Sequence, residues 1–343
     1  MKKIFLIALM IGLSGLGLAQ KIPYLTKSLS TSDIQNVEAK TSGGSIELTG
    51  GHSQDARIEV YISGNGRHLN LTNEEIKAKL EKDFDFDISV SDHKLLAKAL
   101  PKDRIINWNN SLSISFKIFV SENLSSKLST SGGSISIGKL SGDEDFRTSG
   151  GSLTVDGLSG KINGSTSGGS IHISSSKGLI DMETSGGGIN AEHCSGNIRL
   201  STSGGSLGLN DLHGEIRAST SGGSVDGEGI GGELVTTTSG GSINLRSLSC
   251  SLDASTSGGS INADIKEIGK YVKLKDSGGH IDLQIPGGKG YDLKLYGDWV
   301  DKNITLNNFS GTVKDNKIEG TVNGGGVPIY AQTSGGKVNL SFR

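Results

Sequence analysis

The tetrapeptide Thr-Ser-Gly-Gly begins at Thr130, Thr148, Thr166, Thr184, Thr202, Thr220, Thr238 and Thr256, eight copies at an unvarying step of 18 residues. Self-similarity at a short fixed period marks a solenoid, in which each repeat stacks on its neighbours because it cannot bury a core alone. An altered copy, Asp276-Ser277-Gly278-Gly279, follows after 20 residues, and isolated copies stand at Thr41 and Thr333.

Counting each coil from its Thr as position 1 tests the period inside the repeat. Position 6 is always aliphatic (Ile135, Leu153, Ile171, Ile189 and onward), and position 8 is mostly apolar or small. Position 7 between them is mostly polar (Ser136, Thr154, His172, Asn190, Asp226). A period of two is that of a strand with one buried face. In the second half of the coil, position 15 carries Ile162, Ile180, Ile198, Ile216, Leu234 and Leu252 between polar neighbours. Extending the alternation places position 17 and the Thr inside, and the Ser-rich positions 18 and 2 outside.

The pattern predicts an all-β, single-chain, β-helix-like solenoid of 18-residue coils with capping segments at both ends. Each coil has at least two short strands and two glycine corners, one at the Gly-Gly pair and one near position 13, where positive φ favours glycine. Parallel stacking at about 4.8 Å would make eight coils roughly 38 Å long. The inward Thr hydroxyls would bond from coil to coil or to backbone carbonyls. With 53 Gly, only 4 Pro and no Gly-X-Y period, a collagen is excluded.

The flanks differ from the repeat. Asn73 to Glu81 reads as a short helix with Thr72 and Glu75 in a capping box, among strand-like runs at Arg57 to Ile62, Phe84 to Val90 and Leu112 to Val120. No aromatic residue lies between Phe146 and Tyr271. Lys2, Lys3, the apolar run Ile4 to Leu18, and the small Gly17 and Ala19 predict a secretory signal cleaved after Ala19. The expected divisions are a signal peptide at 1–19, an N-terminal cap containing the helix at 20–129, the repeat solenoid at 130–289 and a C-terminal cap at 290–343. No further membrane-spanning segment is expected after cleavage. Losing Lys2 and Lys3 takes the net charge from −2 to −4, a poor balance for binding nucleic acid.

The Thr-Ser-Gly-Gly-Ser-Ile blocks, the run Ile114-Ser115-Phe116-Lys117-Ile118-Phe119-Val120 before the first coil, and the closing Gly320 to Gly326 and Thr333-Ser334-Gly335-Gly336 together resemble a bacterial adhesin-like family of otherwise unknown function. The resemblance covers roughly residues 30–343. It implies an exported β-solenoid and assigns no functional residue.

Sequence signals of chemistry are sparse. Gly204-Gly205-Ser206-Leu207-Gly208 matches the Gly-x-Ser-x-Gly nucleophile elbow, but the Ser is position 5 of a repeat that nearly always carries it, which makes it a turn residue. Gly287 to Leu293 fits a calcium-binding nonapeptide in a single copy, and a turn leading into a strand is the better account. His193 and His213 fall on adjacent coils without a fixed third ligand. Cys194 and Cys250 are three coils apart, about 14 Å along the axis, so both are expected as unpaired thiols, Cys194 filling inward position 11. The outward Ser columns suit ice binding poorly, because Arg147 and Glu183 interrupt them.

No catalytic residue, metal ligand or cofactor is therefore predicted. The favoured reading is a non-enzymatic exported adhesin-like module presenting a hydroxyl-rich surface in the periplasm, at the cell surface or outside the cell. Its expected partners are a surface glycan or extracellular matrix component and an envelope-anchoring protein. A passive periplasmic structural or stress-response protein is the alternative, and a polysaccharide-active β-helix enzyme a further one. A glycan site, if present, is expected at Trp108, Trp299 and Tyr330, because rings supply the apolar face on which sugars stack.

Overall fold

The computed structural model describes residues 22–29, 33–64, 71–103, 111–301 and 308–343. The signal-like segment and Trp108 lie outside these residues. The chain winds into a flattened two-walled solenoid. One wall is built of long strands at coil positions 12 to 1, such as Ser159–Thr166 and Ser195–Thr202. The other is built of short strands at positions 6 to 9, such as Leu153–Asp156 and Ile189–Glu192. Consecutive coils pair in parallel and in exact 18-residue register: Ile162 opposes Ile180, Ile180 opposes Ile198, and Thr184 opposes Thr202. The alternating burial places positions 6, 8, 15 and 17 in a thin interior of Ile, Leu, Val, Ala and Met.

The Thr column faces inward, and its hydroxyls are saturated. Each Oγ1 donates to the carbonyl of the second Gly of the preceding coil, as in Thr148 to Gly133, Thr184 to Gly169 and Thr256 to Gly241, at 2.7 Å. The same oxygen accepts the N–H three residues on, Gly151, Gly187 or Gly259. Position 5 runs a parallel ladder on the outside, where the Ser206 hydroxyl accepts from the Ser224 N–H at 3.2 Å and Ser242 from Ser260. Ser206 is thus a stacking residue, as its place in the repeat implies.

Two expectations about glycine change. The Gly-Gly pair is absent from the positive-φ residues. Its second member is required by close approach: a Cβ on Gly187 would meet the Gly169 carbonyl oxygen at 2.2 Å. The second corner lies at position 10, where Lys139, Ser175, His193 and Asp211 hold φ between 50° and 57°. The position-13 glycines sit within the long strands, Gly178, Gly196 and Gly214 at φ 121° to 124°.

The Thr-Ser-Gly-Gly copies at Thr41 and Thr333 are isolated only in sequence. Asn36–Thr41 and Ile46–Thr49 form a coil inserted between the coil of Lys94–Pro101 with Leu112–Phe119 and that of Ser125–Ser129 with Ile135–Gly138. Thr41 donates to the Ile114 carbonyl and Thr130 to that of Gly44, so the ladder runs through the inserted coil. At the other end, Val327–Thr333 and Lys337–Phe342 are inserted between the Asp276 coil and that of Tyr291–Tyr296 with Trp299–Val300. Each terminal Thr-Ser-Gly-Gly segment therefore lies one coil in from its end of the stack. The described residues form thirteen stacked coils, about 58 Å along the axis.

Antiparallel strands cover the ends, which would otherwise template edge-to-edge pairing. Arg57–Gly64 and then Leu25–Ser28 extend the short-strand wall, and Phe84–Ser91 extends the long-strand wall. At the far end Lys317–Val322 and Phe309–Lys314 do the same. The helix spans Asn73–Asp83 with its capping box formed, and buries Ile76 and Leu80.

Candidate functional site

Alternation in the short strands turns positions 5, 7 and 9 outward, so stacking converts each position into a column running along the rod. Position 7 reads Thr154, His172, Asn190, Gly208, Asp226, Asn244 and Asn262, then Asp282 and Asn339 in the register of the last coils. Two open cavities lie over these columns, of about 630 and 480 Å³, and both are lined by Arg246. With Arg246 between them, they follow one another as a grooved strip from Ser152 to Ser341 along the outer face of the short-strand wall.

Missing side chains help shape the groove. Gly188 replaces the position-5 Ser and Gly208 the position-7 polar residue, and both line the larger cavity. The Asn190 amide oxygen lies over Gly208, where a Cβ would come within 2.0 Å of it. Amides and carboxylates then hydrogen-bond along the rod: Asn262 Nδ2 donates to Asn244 Oδ1, and Asn244 Nδ2 to Asp226 Oδ1, each at 2.9 Å. Position 9 adds Asn210, Glu228, Arg246 and Asp264. The Arg343 guanidinium forms an ion pair with Asp264. This is a pre-ordered strip of hydrogen-bond donors and acceptors repeating at strand spacing, about 4.8 Å.

Aromatic side chains stand toward both ends of the same wall. At one end a cavity of about 320 Å³ lies beside Tyr61, Glu47 and Lys117. There Lys117 pairs with Glu47 at 2.9 Å, and the Arg57 guanidinium sits 3.9 Å from the centre of the Phe119 ring. At the other end Trp299, in register with Lys337, is 44% exposed. Tyr330 is on the opposite, long-strand wall, in register with Lys273 and Lys294. The structure therefore does not bring Trp299 and Tyr330 to one site, and Trp108 is not among the described residues.

The remaining sequence signals fall at turns or in the core. His193 and His213 are joined through Asp211, which accepts from the two rings at 2.8 and 3.0 Å. The His193 hydrogen bond, then that of His213, holds the Asp211 carboxyl below the usual range. Cys194 and Cys250 are both free and buried, and burial pushes the Cys250 thiol up to about 12. Gly287 to Gly290 forms a turn entering the strand Tyr291–Tyr296. Glu144 is a buried carboxylate the repeat did not single out. It occupies position 15 between Ser126 and Ile162, accepts from the Ser126 hydroxyl, and is raised to about 7 by desolvation.

No curated protein matches the chain. Among solved structures it is similar to a proposed adhesin from Bacteroides fragilis, at 15% identity over 74% of this chain and 96% of that one, with a TM-score of 0.35. It is also similar to a proposed lipid-binding protein from Parabacteroides distasonis, at 18% identity over 73% and 93%, with a TM-score of 0.35. A proposed cell adhesion protein from Clostridium sporogenes matches at 9% identity over 93% and 98%, with a TM-score of 0.20. The sequence profile of one family spans residues 28–341, nearly the whole stack of coils and both of its ends, and the chain belongs to that family, Toastrack DUF4097.

Proposed function

We propose that the protein is a non-enzymatic exported binding module whose working surface is the groove on the short-strand wall, and that it engages an extended hydroxyl-rich polymer at the cell envelope. The observation that carries this reading is the continuity of the groove. Two cavities that share Arg246 follow one another over a column of Asn, Asp, Thr and His side chains that repeats with the strands. A polymer laid along the axis meets a donor and an acceptor at successive coils. Many weak hydrogen bonds then add along one molecule, as linked contacts do in multivalent binding. The pattern of residues 1–19, with the basic Lys2 and Lys3, the apolar run Ile4 to Leu18 and the small Gly17 and Ala19, supports export. The inward Thr and position-5 Ser hydroxyls already serve the ladders, so the amide and carboxylate columns, rather than the hydroxyls of the repeat motif, carry recognition.

The test has two arms. Protease shaving of intact cells reports whether the rod faces outward, and retention of the purified chain on chitin, mannan and dextran reports polymer binding. An Asp226→Ala/Asn244→Ala variant removes one of the hydrogen-bonded steps without touching the core, and is expected to lose retention with an unchanged thermal midpoint. A chain protected from protease and silent on all three polymers would overturn the reading in favour of a passive structural role.

A further inference from the structure

The outer face of the long-strand wall changes character at the end formed by Ile261–Asp276, Val327–Thr333, Tyr291–Tyr296 and Lys317–Val322. Register places Lys273, Tyr330, Lys294 and Glu319 in one row across these strands, and Lys275, Gln332, Tyr296 and Lys317 in the next. The Tyr330 and Tyr296 rings lie 6.0 Å apart, and Lys275 Nζ is 5.9 Å from the Tyr330 ring centre. Each phenol is tied down within the wall, Tyr330 to Gln332 and Tyr296 to Glu319. Lys273 is paired with Asp253 and Lys317 with Glu319, whereas Lys275 and Lys294 form no ion pair among the described residues. A chain of net charge −2 thus carries two ammonium groups without a direct ion pair beside a pair of fixed aromatic rings, Lys294 standing opposite Glu319, whose carboxyl is already paired with Lys317.

We propose that this surface binds an acidic polysaccharide, with sugar rings lying on Tyr330 and Tyr296 and carboxylates meeting Lys275 and Lys294. Fixed rings offer a stacking face at low entropic cost, and ammonium groups two strands apart, on either side of Val327–Thr333, match charges spaced along a polymer. The observations favour a polysaccharide over an anionic membrane because, among the described residues, no large apolar side chain projects from these four strands on this face; the exposed Leu179 of the same wall stands in the strand Lys177–Thr184, several coils away. The exposed Val313 is in register with the buried Ile318 and so belongs to the other side of its strand. The surface lies on the wall opposite the groove, so its failure leaves the groove reading standing.

The experiment measures binding of the full chain to polygalacturonate, with uncharged dextran and phosphatidylglycerol vesicles as comparisons. Polygalacturonate is expected to bind more weakly as ionic strength rises. The Lys275→Gln/Lys294→Gln variant should bind about tenfold more weakly, and Tyr330→Leu should also lose affinity. Lys161→Gln, exposed in the strand Ser159–Thr166 and outside both proposed surfaces, should leave polygalacturonate binding unchanged. The two lysines are exposed, so the double variant keeps the test readable should Tyr330→Leu disturb folding. Absence of polygalacturonate binding, binding indifferent to the double variant, or binding to vesicles alone would each overturn the proposal.

Discussion

The Thr202 hydroxyl lies 2.7 Å from the carbonyl oxygen of Gly187, fifteen residues earlier and one coil below, and also accepts the Gly205 N–H at 3.3 Å. One oxygen therefore satisfies a donor and an acceptor at the turn joining the two walls. Thr202→Val keeps the shape and removes both bonds, leaving the Gly187 carbonyl without the hydroxyl that meets it. The expected cost is about 1 to 2 kcal/mol, read as a lowered denaturation midpoint. Thr202→Ser keeps the oxygen and should recover much of that loss.

Neighbouring glycines at the same turn should respond very differently. A Cβ on Gly186 meets nothing closer than 3.5 Å, whereas one on Gly187 would sit 2.2 Å from the Gly169 carbonyl oxygen. Gly186→Ala is expected to be nearly neutral. Gly187→Ala must push two coils apart, at about 3 kcal/mol or more. Comparing their urea unfolding curves checks this, and equal effects would contradict close approach as the reason for the second glycine.

The repeat made the coil length, the inward Thr and the alternation legible, because each recurs at one position in every coil. The position-10 corner left no consistent glycine mark, since only Gly157 and Gly229 stand there as glycines while Lys139, Ser175, His193 and Asp211 occupy the left-handed region in other coils. The order of coils was hidden as well. Placing Thr41 beneath Thr130 depends on pairing across about ninety residues, and no local pattern encodes it. The groove escaped notice for a related reason. Thr154, His172, Asn190, Gly208 and Asp226 share a column but no motif, and only stacking makes them a surface. Trp299 and Tyr330 could be read as exposed rings in the C-terminal flank, but not as residues of opposite walls.

Glu144 should make stability depend on pH. It is 1% exposed, with Oε1 lacking a hydrogen-bond partner, and its folded-state pKa is about 7 against an ordinary 4.5. The folded chain holds this proton more tightly than the unfolded chain does. Its contribution is therefore most favourable below about pH 4.5, declines as pH rises to 7, and is flat above that. The difference amounts to about 3 kcal/mol. Glu144→Gln removes the titration, so the gap in stability between variant and wild type should widen across this window in favour of the variant. A gap independent of pH would show that Glu144 is ionised in both states.

Asp276 stands where the other coils put Thr. Its Oδ1 accepts the Gly278 N–H at 3.1 Å, so one half of the Thr function is kept. The other half is not: Oδ2 is buried without a hydrogen-bond partner, and no bond to the Gly259 carbonyl continues the ladder between Thr256 and Thr333. Backbone register is already in place, since Thr256 opposes Asp276 and Asp276 opposes Thr333. Asp276→Thr should supply the missing donor and remove a buried unpartnered oxygen, raising stability by about 1 to 2 kcal/mol. A higher thermal midpoint, with protection of the Gly278 and Gly279 amides in hydrogen exchange, is the expected result. A lower midpoint would mean that the carboxylate serves the 20-residue coil preceding it in a way a hydroxyl cannot.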